Sequence, residues 1–219
     1  MNEPETIVFD FDGVLLRGDS FAGYLRWRTR QNRWRVLAAL PLLPLLPLLG
    51  HPRTLPWTAK LFTRALTLGL DRSRFDAEID TFCDVWLARE GRVIDALVVR
   101  LRGHVAAGAR VLVVSGTAHY LLESLLRRLS IDGVTALGTQ VEFGRLGLRA
   151  PRHNYGKAKL ATLAEVGVHA PWAISYSDSL ADLPILSAAR NAVLVEPSAV
   201  HERALRATLG DTVEVVRLR

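Results

Sequence analysis

The chain of 219 residues is nearly free of cysteine, because Cys83 is the only one. A single cysteine excludes a disulfide within the chain, and the composition is typical of a reducing compartment. The acidic segment 1–5 lacks the pattern of a signal peptide. We therefore expect a cytoplasmic location.

Lysine is also scarce: Lys60, Lys157 and Lys159 are the only three, so 25 of the 28 basic residues are arginine. Such a bias often reflects the codon usage of a genome. The net charge of +6 and the pI of about 10.1 therefore do not by themselves predict a nucleic-acid partner. Because an ammonium and a guanidinium differ chemically, two lysines only two residues apart stand out.

The sequence contains no apolar run long enough to cross a bilayer. The uncharged run 36–50 has 15 residues, whereas a spanning helix needs about 20. Pro44 and Pro47 argue against an uninterrupted helix through it. Arginines and tryptophans interleave just before the run, which leaves two interpretations open. In the first, residues 26–50 contact the inner face of a membrane. In the second, the leucines pack inside a helical hairpin.

Hydrophobic residues make up 49% of the chain and charged residues 23%. This composition is typical of a globular protein and argues against disorder. The length suits one substantial domain, or a core domain that carries an inserted module.

Asp10 and Asp12 follow a short apolar run, residues 7–9, that predicts a buried strand of a parallel sheet. Gly13 lets the backbone turn just past the strand. Ligand sites of open α/β sheets lie at the carboxyl ends of strands. Two carboxylates this close repel each other unless a cation such as Mg²⁺ binds them or one takes up a proton. An ordinary surface turn is the alternative.

Two further segments suggest an anion-binding site. The predicted strand 111–114 ends at Ser115-Gly116-Thr117, and a helix follows at once. Backbone N–H groups and hydroxyls at a helix N-terminus bind anions, although ordinary helix caps also explain these hydroxyls. Lys157 and Lys159 open another helix, where they oppose its dipole. Either some anion needs them there, or they are solvated surface residues.

Asp178 follows a predicted strand at 172–176, and Asp182 lies four residues later near a helix start. Strands and helices alternate after about residue 90, which predicts a parallel sheet covered by helices on both faces. Before that point, apolar residues at helical spacing predict an all-helical insertion over residues 18–90. One of its helices is predicted to begin near Ser20, and Ser73 is the predicted N-cap of a later one.

These strand ends resemble the haloacid dehalogenase superfamily of phosphohydrolases. The four superfamily motifs are matched by Asp10-Phe11-Asp12-Gly13, Ser115-Gly116-Thr117, Lys159 and Asp178 to Asp182. The insertion resembles the helical cap of the phosphoserine-phosphatase-like branch, and most of all the cap of bacterial phosphatidylglycerophosphate phosphatases. The resemblance implies an α/β fold with a Rossmann-like core, residues 1–17 and 91–219, and an inserted all-helical cap, residues 18–90.

The resemblance also implies catalytic roles. Asp10 would attack the phosphorus and form an aspartyl phosphate, and Asp12 would act as acid and then as base. Ser115 and Gly116 would bind the phosphate group together with a lysine. Lys159 fits the motif better than Lys157, since a glycine precedes it by three residues and a leucine follows it by four.

A magnesium ion is the implied cofactor. The resemblance assigns it to the carboxylates of Asp10 and Asp178 and to the backbone carbonyl of Asp12, with Asp182 close by. Val14 departs from the family pattern, where threonine is usual. This change removes a hydroxyl but no catalytic carboxylate, so we expect activity to survive.

The sequence thus predicts an Mg²⁺-dependent phosphomonoester hydrolase that acts on a lipid head-group phosphate at the membrane surface. The alternative is a soluble small-molecule phosphatase such as phosphoserine phosphatase. A nucleic-acid-binding module is disfavoured, because the carboxylates would repel phosphates without a metal. Asp19, Arg53 and Arg64 are candidates to touch the leaving alcohol, but their spacing assigns none of them.

Overall fold

The computed structural model describes residues 4–51, 54–210 and 213–218. Within these ranges the strands are β1 Thr6–Phe9, β2 Arg110–Ala118, β3 Val134–Thr139, β4 Trp172–Ser177, β5 Ala189–Val195 and β6 Glu214–Val216. The α-helices are α1 Ser20–Gln31, α2 Trp34–Ala39, α3 Leu55–Leu66, α4 Arg72–Leu87, α5 Asp95–Ala106, α6 His119–Arg128, α7 Ala158–Glu165, α8 Leu183–Ser187 and α9 Ala199–Leu209. Two 3₁₀-helices, Leu40–Gly50 and Leu180–Asp182, complete the described elements.

All six described strands are parallel and lie in one sheet in the order β3-β2-β1-β4-β5-β6. The chain builds outward from β1 to β3 and then returns to start the other half at β4. The strand order therefore reverses between β1 and β4, where Ile7 pairs with Ile174. Open α/β sheets bind ligands in the crevice outside the carboxyl ends of strands at such a reversal.

Alternate residues of the strands enter separate cores on the two faces of the sheet. Ile7 and Phe9 pack in one core with Leu121 of α6. Val8 packs in the other with Leu163 of α7. All of these side chains are almost completely buried. The predicted parallel sheet with helices on both faces is confirmed.

The second strand is longer than predicted. β2 extends to Ala118, and its register against β3 shifts between Val114 and Ala118. Ser115-Gly116-Thr117 therefore lies on the irregular end of a strand, and α6 begins only at His119. The predicted position of these three residues at a helix N-terminus is wrong, because a bulge in the extended backbone carries them instead.

Among the described residues, four α-helices and the longer 3₁₀-helix lie between β1 and α5. α1 begins at Ser20 as predicted, but α4 begins earlier than expected. The carboxylate of Asp71 accepts a hydrogen bond from the Arg74 N–H at 2.8 Å and caps α4, so the prediction of Ser73 as the cap is wrong. Asp71 has the extended backbone that a cap requires, and Asp is among the best capping residues.

A buried charge network ties three of these helices together. Arg28 of α1 is 1% exposed, pairs with Glu78 of α4 and donates a hydrogen bond to the Leu66 carbonyl of α3 at 3.3 Å. The Tyr24 hydroxyl donates to the same glutamate at 2.9 Å. Separating the helices would leave a buried charge without its partner, which is costly. The network therefore holds α1, α3 and α4 in a defined arrangement.

The 3₁₀-helix Leu40–Gly50 differs from expectation, because it continues through all three of its prolines. A 3₁₀-helix has three residues per turn, so prolines spaced by three share one edge and remove donors from that edge alone. The helix packs against α2 and α3, yet none of its residues is buried. Leu40, Leu43 and Leu46 are 45 to 46% exposed.

None of the described helices is by itself long and apolar enough to cross a bilayer. The helices Ser20–Gln31 and Trp34–Gly50 are bent by 118° relative to each other, and they satisfy the criterion of length and composition only when the two are taken together.

Candidate active site

The loop after β1 brings two predicted site residues next to β4. The Asp10 N–H donates to the Tyr176 carbonyl of β4 at 2.9 Å, which continues the pairing of the two strands. Gly13 has a φ of +83°, and a Cβ atom there would lie 2.2 Å from a carboxylate oxygen of Asp178. Only glycine accommodates both this backbone and this close approach. Asp178 therefore lies directly against the turn that follows Asp10 and Asp12.

Lys159 lies between two carboxylates in the interior of the site. Its Nζ is 2.9 Å from Asp10 Oδ1 and 2.7 Å from Asp182 Oδ2, and the side chain is 2% exposed. The Ser177 hydroxyl also donates to Asp182 Oδ2, at 2.9 Å. Burial would lower the pKa of Lys159, but the two carboxylates raise it above its usual value, so the ammonium stays charged. Lys157, two residues earlier, is exposed.

Asp12 is held by the start of α1. Its carboxylate accepts hydrogen bonds from the Ser20 N–H at 3.1 Å and from the Ser20 hydroxyl at 3.0 Å. The same hydroxyl lies 2.9 Å from the hydroxyl of Thr117. A chain of contacts thus joins the ends of β1, α1 and β2.

Burial makes these carboxylates hard to ionise. It raises the pKa of Asp10 well above the usual range, although Lys159 opposes the shift. It raises the pKa of Asp12 to about 7, with a further contribution from the charge of Asp19. Burial also raises the pKa of Asp178. With Asp182 included, four carboxylates line the site, and the buried ammonium of Lys159 contacts two of them, Asp10 and Asp182.

Ser115 and Gly116 lie across the site on the bulged end of β2. The Thr117 N–H donates to Ser115 Oγ at 3.1 Å, inside the segment itself. The Gly116 carbonyl accepts a hydrogen bond from the Thr139 hydroxyl at 2.7 Å and lies 3.2 Å from His153 Nε2. The segment is therefore held from outside by β3 and by the loop before α7.

A cavity of about 1310 Å³ opens over these groups. This volume is larger than that of most small-molecule sites. All the predicted site residues contribute to its lining: Asp10, Asp12, Ser115, Gly116, Lys159, Asp178 and Asp182. Apolar side chains of α1 and α3 line much of the remainder: Phe21, Leu25, Trp57 and Leu61. Asp19 and Arg64 also line it, whereas Arg53 lies outside the described residues.

Residues 7–187 match the family of haloacid dehalogenase-like hydrolases. The chain belongs to this family. The match begins in β1 and ends in α8, so it includes every residue that the sequence predicted for the site. No curated protein sequence matches the chain.

Solved structures share this haloacid dehalogenase-like fold. A Bordetella pertussis Tohama I protein of unknown function has a TM-score of 0.66 at 19% identity, over 99% of this chain and 100% of that protein. A substrate-bound phosphoserine phosphatase has a TM-score of 0.63 at 13% identity, over 100% and 95%. Cytosolic 5′-nucleotidase IIIB bound to cytidine has a TM-score of 0.62 at 15% identity, over 96% and 78%. At such identities the likeness concerns the fold.

The family implies a magnesium ion, and the residues fit one. Among the described residues, no three carboxylate, histidine or cysteine side chains already form a coordination group. Mg²⁺ needs fewer, since it usually takes one or two carboxylates and keeps several waters. The carboxylate of Asp178 lies against the Gly13 turn after Asp10, and the excess of buried carboxylates calls for a cation. Asp182, in contrast, is directed to Lys159 and Ser177.

Three polar residues of the site had no predicted role in its chemistry. Ser20 was expected only to begin a helix, yet a free N–H at a helix start is a donor for a carboxylate such as Asp12. Ser177 ends β4 just before Asp178, so its position at a strand end was an available signal. His153 lies in a loop without periodicity, and no local pattern points to it.

Proposed function

We propose that the protein is an Mg²⁺-dependent phosphomonoester hydrolase that works through an aspartyl phosphate on Asp10. The observation that carries this proposal is the buried ammonium of Lys159 between Asp10 and Asp182, in a cavity that Asp12 also lines. A transferring phosphate carries negative charge on its outer oxygens, which such an ammonium would neutralise.

The two carboxylates of the first loop have separate tasks. An Asp10 oxygen attacks the phosphorus, and the bond between phosphorus and the leaving oxygen breaks. Asp12 gives its proton to the departing alcohol. Asp12 then takes a proton from the water that attacks the aspartyl phosphate, which releases inorganic phosphate and restores both residues. A pKa of about 7 suits this exchange, and burial is its main cause.

The remaining residues bind the phosphate group and the cofactor. Lys159, the Ser115 hydroxyl and the Gly116 backbone bind phosphoryl oxygens. Asp10, Asp178 and the Asp12 carbonyl are the residues that would hold Mg²⁺. When bound, the ion supplies positive charge that neutralises the phosphate group. Asp182 acts by holding Lys159 in position.

The division of the chain belongs to the same proposal. Residues 1–17 and 91–219 form the catalytic core, and residues 18–90 form a cap over the cavity. The helices between β1 and α5, together with the lining that α1 and α3 contribute, support this division.

The substrate is a lipid head-group phosphate, and the enzyme contacts the inner face of the membrane through residues 26–50, as the resemblance to phosphatidylglycerophosphate phosphatases suggests. Trp34 is 77% exposed, and Leu37, Leu43 and Leu46 are 46 to 48% exposed. Apolar side chains beside several arginines favour an anionic membrane interface. The apolar part of the cavity lining is consistent with such a substrate.

A panel of phosphate esters, assayed with Mg²⁺ and with EDTA, tests the catalytic proposal. We expect hydrolysis that requires the metal and that disappears in Asp10→Asn, because the amide is a poor nucleophile. Activity in EDTA equal to that in Mg²⁺, or an unimpaired variant, would contradict the mechanism.

A second candidate is a small-molecule phosphatase acting on phosphoserine, which the full-length structural likeness to phosphoserine phosphatase favours. Flotation with anionic vesicles separates the two. The lipid proposal predicts binding that Leu43→Asp with Leu46→Asp abolishes and that Val200→Asp, at an equally apolar and 72% exposed position, preserves. Absence of vesicle binding, with efficient hydrolysis of phosphoserine, would favour the second candidate.

A further inference from the structure

His153 lies directly over the segment that the proposed function assigns to phosphate binding. Its Nε2 is 3.2 Å from the Gly116 carbonyl oxygen, and a Cβ atom added to Gly116 would lie 3.1 Å from the same nitrogen. Both residues line the cavity. The imidazole therefore contacts the backbone of the phosphate-binding segment.

This contact has a defined direction. A carbonyl oxygen can only accept, so the proton must be on Nε2 of His153, which leaves Nδ1 as an acceptor. The Thr139 hydroxyl donates to the same carbonyl at 2.7 Å. Two donors from different elements thus fix the orientation of the Gly116 carbonyl.

The orientation of that carbonyl determines the orientation of Ser115. In a planar trans peptide the C=O of one residue and the N–H of the next point in opposite directions. With the Gly116 carbonyl held outward, the Thr117 N–H points back and donates to Ser115 Oγ at 3.1 Å. The Ser115 hydroxyl accepts this hydrogen bond and donates none to a described residue, so its proton is available to an acceptor in the cavity.

The ring of His153 is itself held in place. It stacks on Tyr155, with centroids 5.6 Å apart and planes at 8°. Between them Asn154 is 2% exposed, and its backbone N–H donates to Thr139 Oγ1 at 3.0 Å. Its side-chain amide donates to the Leu137 carbonyl of β3 at 2.8 Å. The loop is therefore anchored to the sheet, and the imidazole has a defined position.

We propose that His153 is a positioning residue, which holds the Ser115 hydroxyl, through the Gly116–Thr117 peptide, in the orientation that donates to a phosphoryl oxygen. The inference rests on the proposed function, because it concerns the same site. It assigns His153 no contact with the substrate. Its effect should therefore depend on the presence of Ser115.

A double-mutant cycle tests this dependence with p-nitrophenyl phosphate and Mg²⁺. His153→Phe keeps a ring that stacks on Tyr155 but removes the donor, and should lower kcat/KM about tenfold, the value of one typical hydrogen bond. His153→Gln retains a donor and should stay within about threefold of the wild type. In a Ser115→Ala background, His153→Phe should have no further effect, because the hydroxyl it orients is gone.

Several outcomes would overturn the inference. His153→Phe with unchanged kcat/KM would show that the contact has no role, and an effect of equal size with and without Ser115 would show independent action. His169→Phe, at an exposed position outside the cavity, controls for loss of a histidine and should behave as the wild type. Thermal unfolding of every variant separates misfolding from misorientation.

Failure of the proposed function has a different signature. If the wild type hydrolyses no phosphate ester, the proposed hydrolase function is wrong. The role of His153 is then tested by calorimetry of inorganic phosphate binding. His153→Phe should weaken that binding about tenfold, and only when Ser115 is present. Equal binding by wild type and variant would overturn the inference.

Discussion

Replacing Lys159 with methionine should destabilise the protein strongly at alkaline pH and much less at acidic pH. Methionine keeps the length and apolar stem of the side chain but removes the ammonium. That ammonium is 2.9 Å from Asp10 and 2.7 Å from Asp182 in a site where lysine is 2% exposed. The two buried carboxylates would then face each other without a compensating charge.

The size of the effect follows from the burial. Breaking a buried ion pair by removing one partner costs about 3–5 kcal/mol, since the other charge stays buried. In a domain of this size each kcal/mol shifts the melting temperature by about 2–4 °C. The variant should therefore melt about 6–20 °C below the wild type at pH 8 in EDTA.

The pH dependence has a definite sign. Burial already raises the pKa of Asp10, with Lys159 opposing the shift, so loss of the lysine raises it further. At pH values between the pKa of Asp10 in the unfolded chain and its pKa in the folded variant, the folded variant binds more protons than the unfolded chain. Its stability therefore falls as pH rises through that window. The difference in melting temperature between the variant and the wild type should therefore be smaller at pH 5 than at pH 8.

Thermal unfolding in EDTA at both pH values checks this expectation, because a chelator prevents any metal from replacing the missing charge. Lys157→Met, at the exposed neighbouring lysine, is the matched control and should melt as the wild type does. Equal melting temperatures for Lys159→Met and the control at pH 8, or a larger deficit at pH 5, would refute the reasoning.

Two further predictions concern single positions. Gly13→Ala should abolish activity, because the added Cβ would lie 2.2 Å from the Asp178 carboxylate and displace it. Gly69→Ala is the control and should keep activity, because Gly69 has a φ of +66° but lies in open space. Equal kcat/KM for the two variants would contradict this prediction. Burial, then the charge of Arg100, lowers the pKa of His104. The melting temperature of the wild type should therefore fall as pH drops below about 6.5, and that of His104→Gln should fall less. An equal fall in the melting temperatures of the two proteins between pH 7 and pH 5 would contradict this.

The sequence predicted the fold class because the signals were local and strong. The apolar run before Asp10 could only be buried, and alternation of strands with helices allows few topologies other than a covered parallel sheet. β6 and the start of α4 were missed for the opposite reason. The strand has three residues, Glu214–Val216, and two neighbouring polar residues, Asp71 and Ser73, could each cap the helix.

The preference for Lys159 over Lys157 could be argued from spacing, and the structure gives it a physical reason. Lys157 directly precedes α7 and has helical backbone angles. Residues two apart in such a backbone are rotated by about 200° around the axis, so only one of them can face the sheet. Here Lys159 faces it and is buried, and Lys157 is exposed.

The amino-acid order alone therefore determined which carboxylates follow the strands, and with them the acidic character of one end of the sheet. Only the tertiary structure decided what those side chains contact. Ser20 meets Thr117 across 97 positions of the chain, and His153 meets Gly116 across 37. Such contacts follow from the strand order, the bulge in β2 and the packing of loops on the sheet, because long-range packing leaves no periodic trace in the residues that meet.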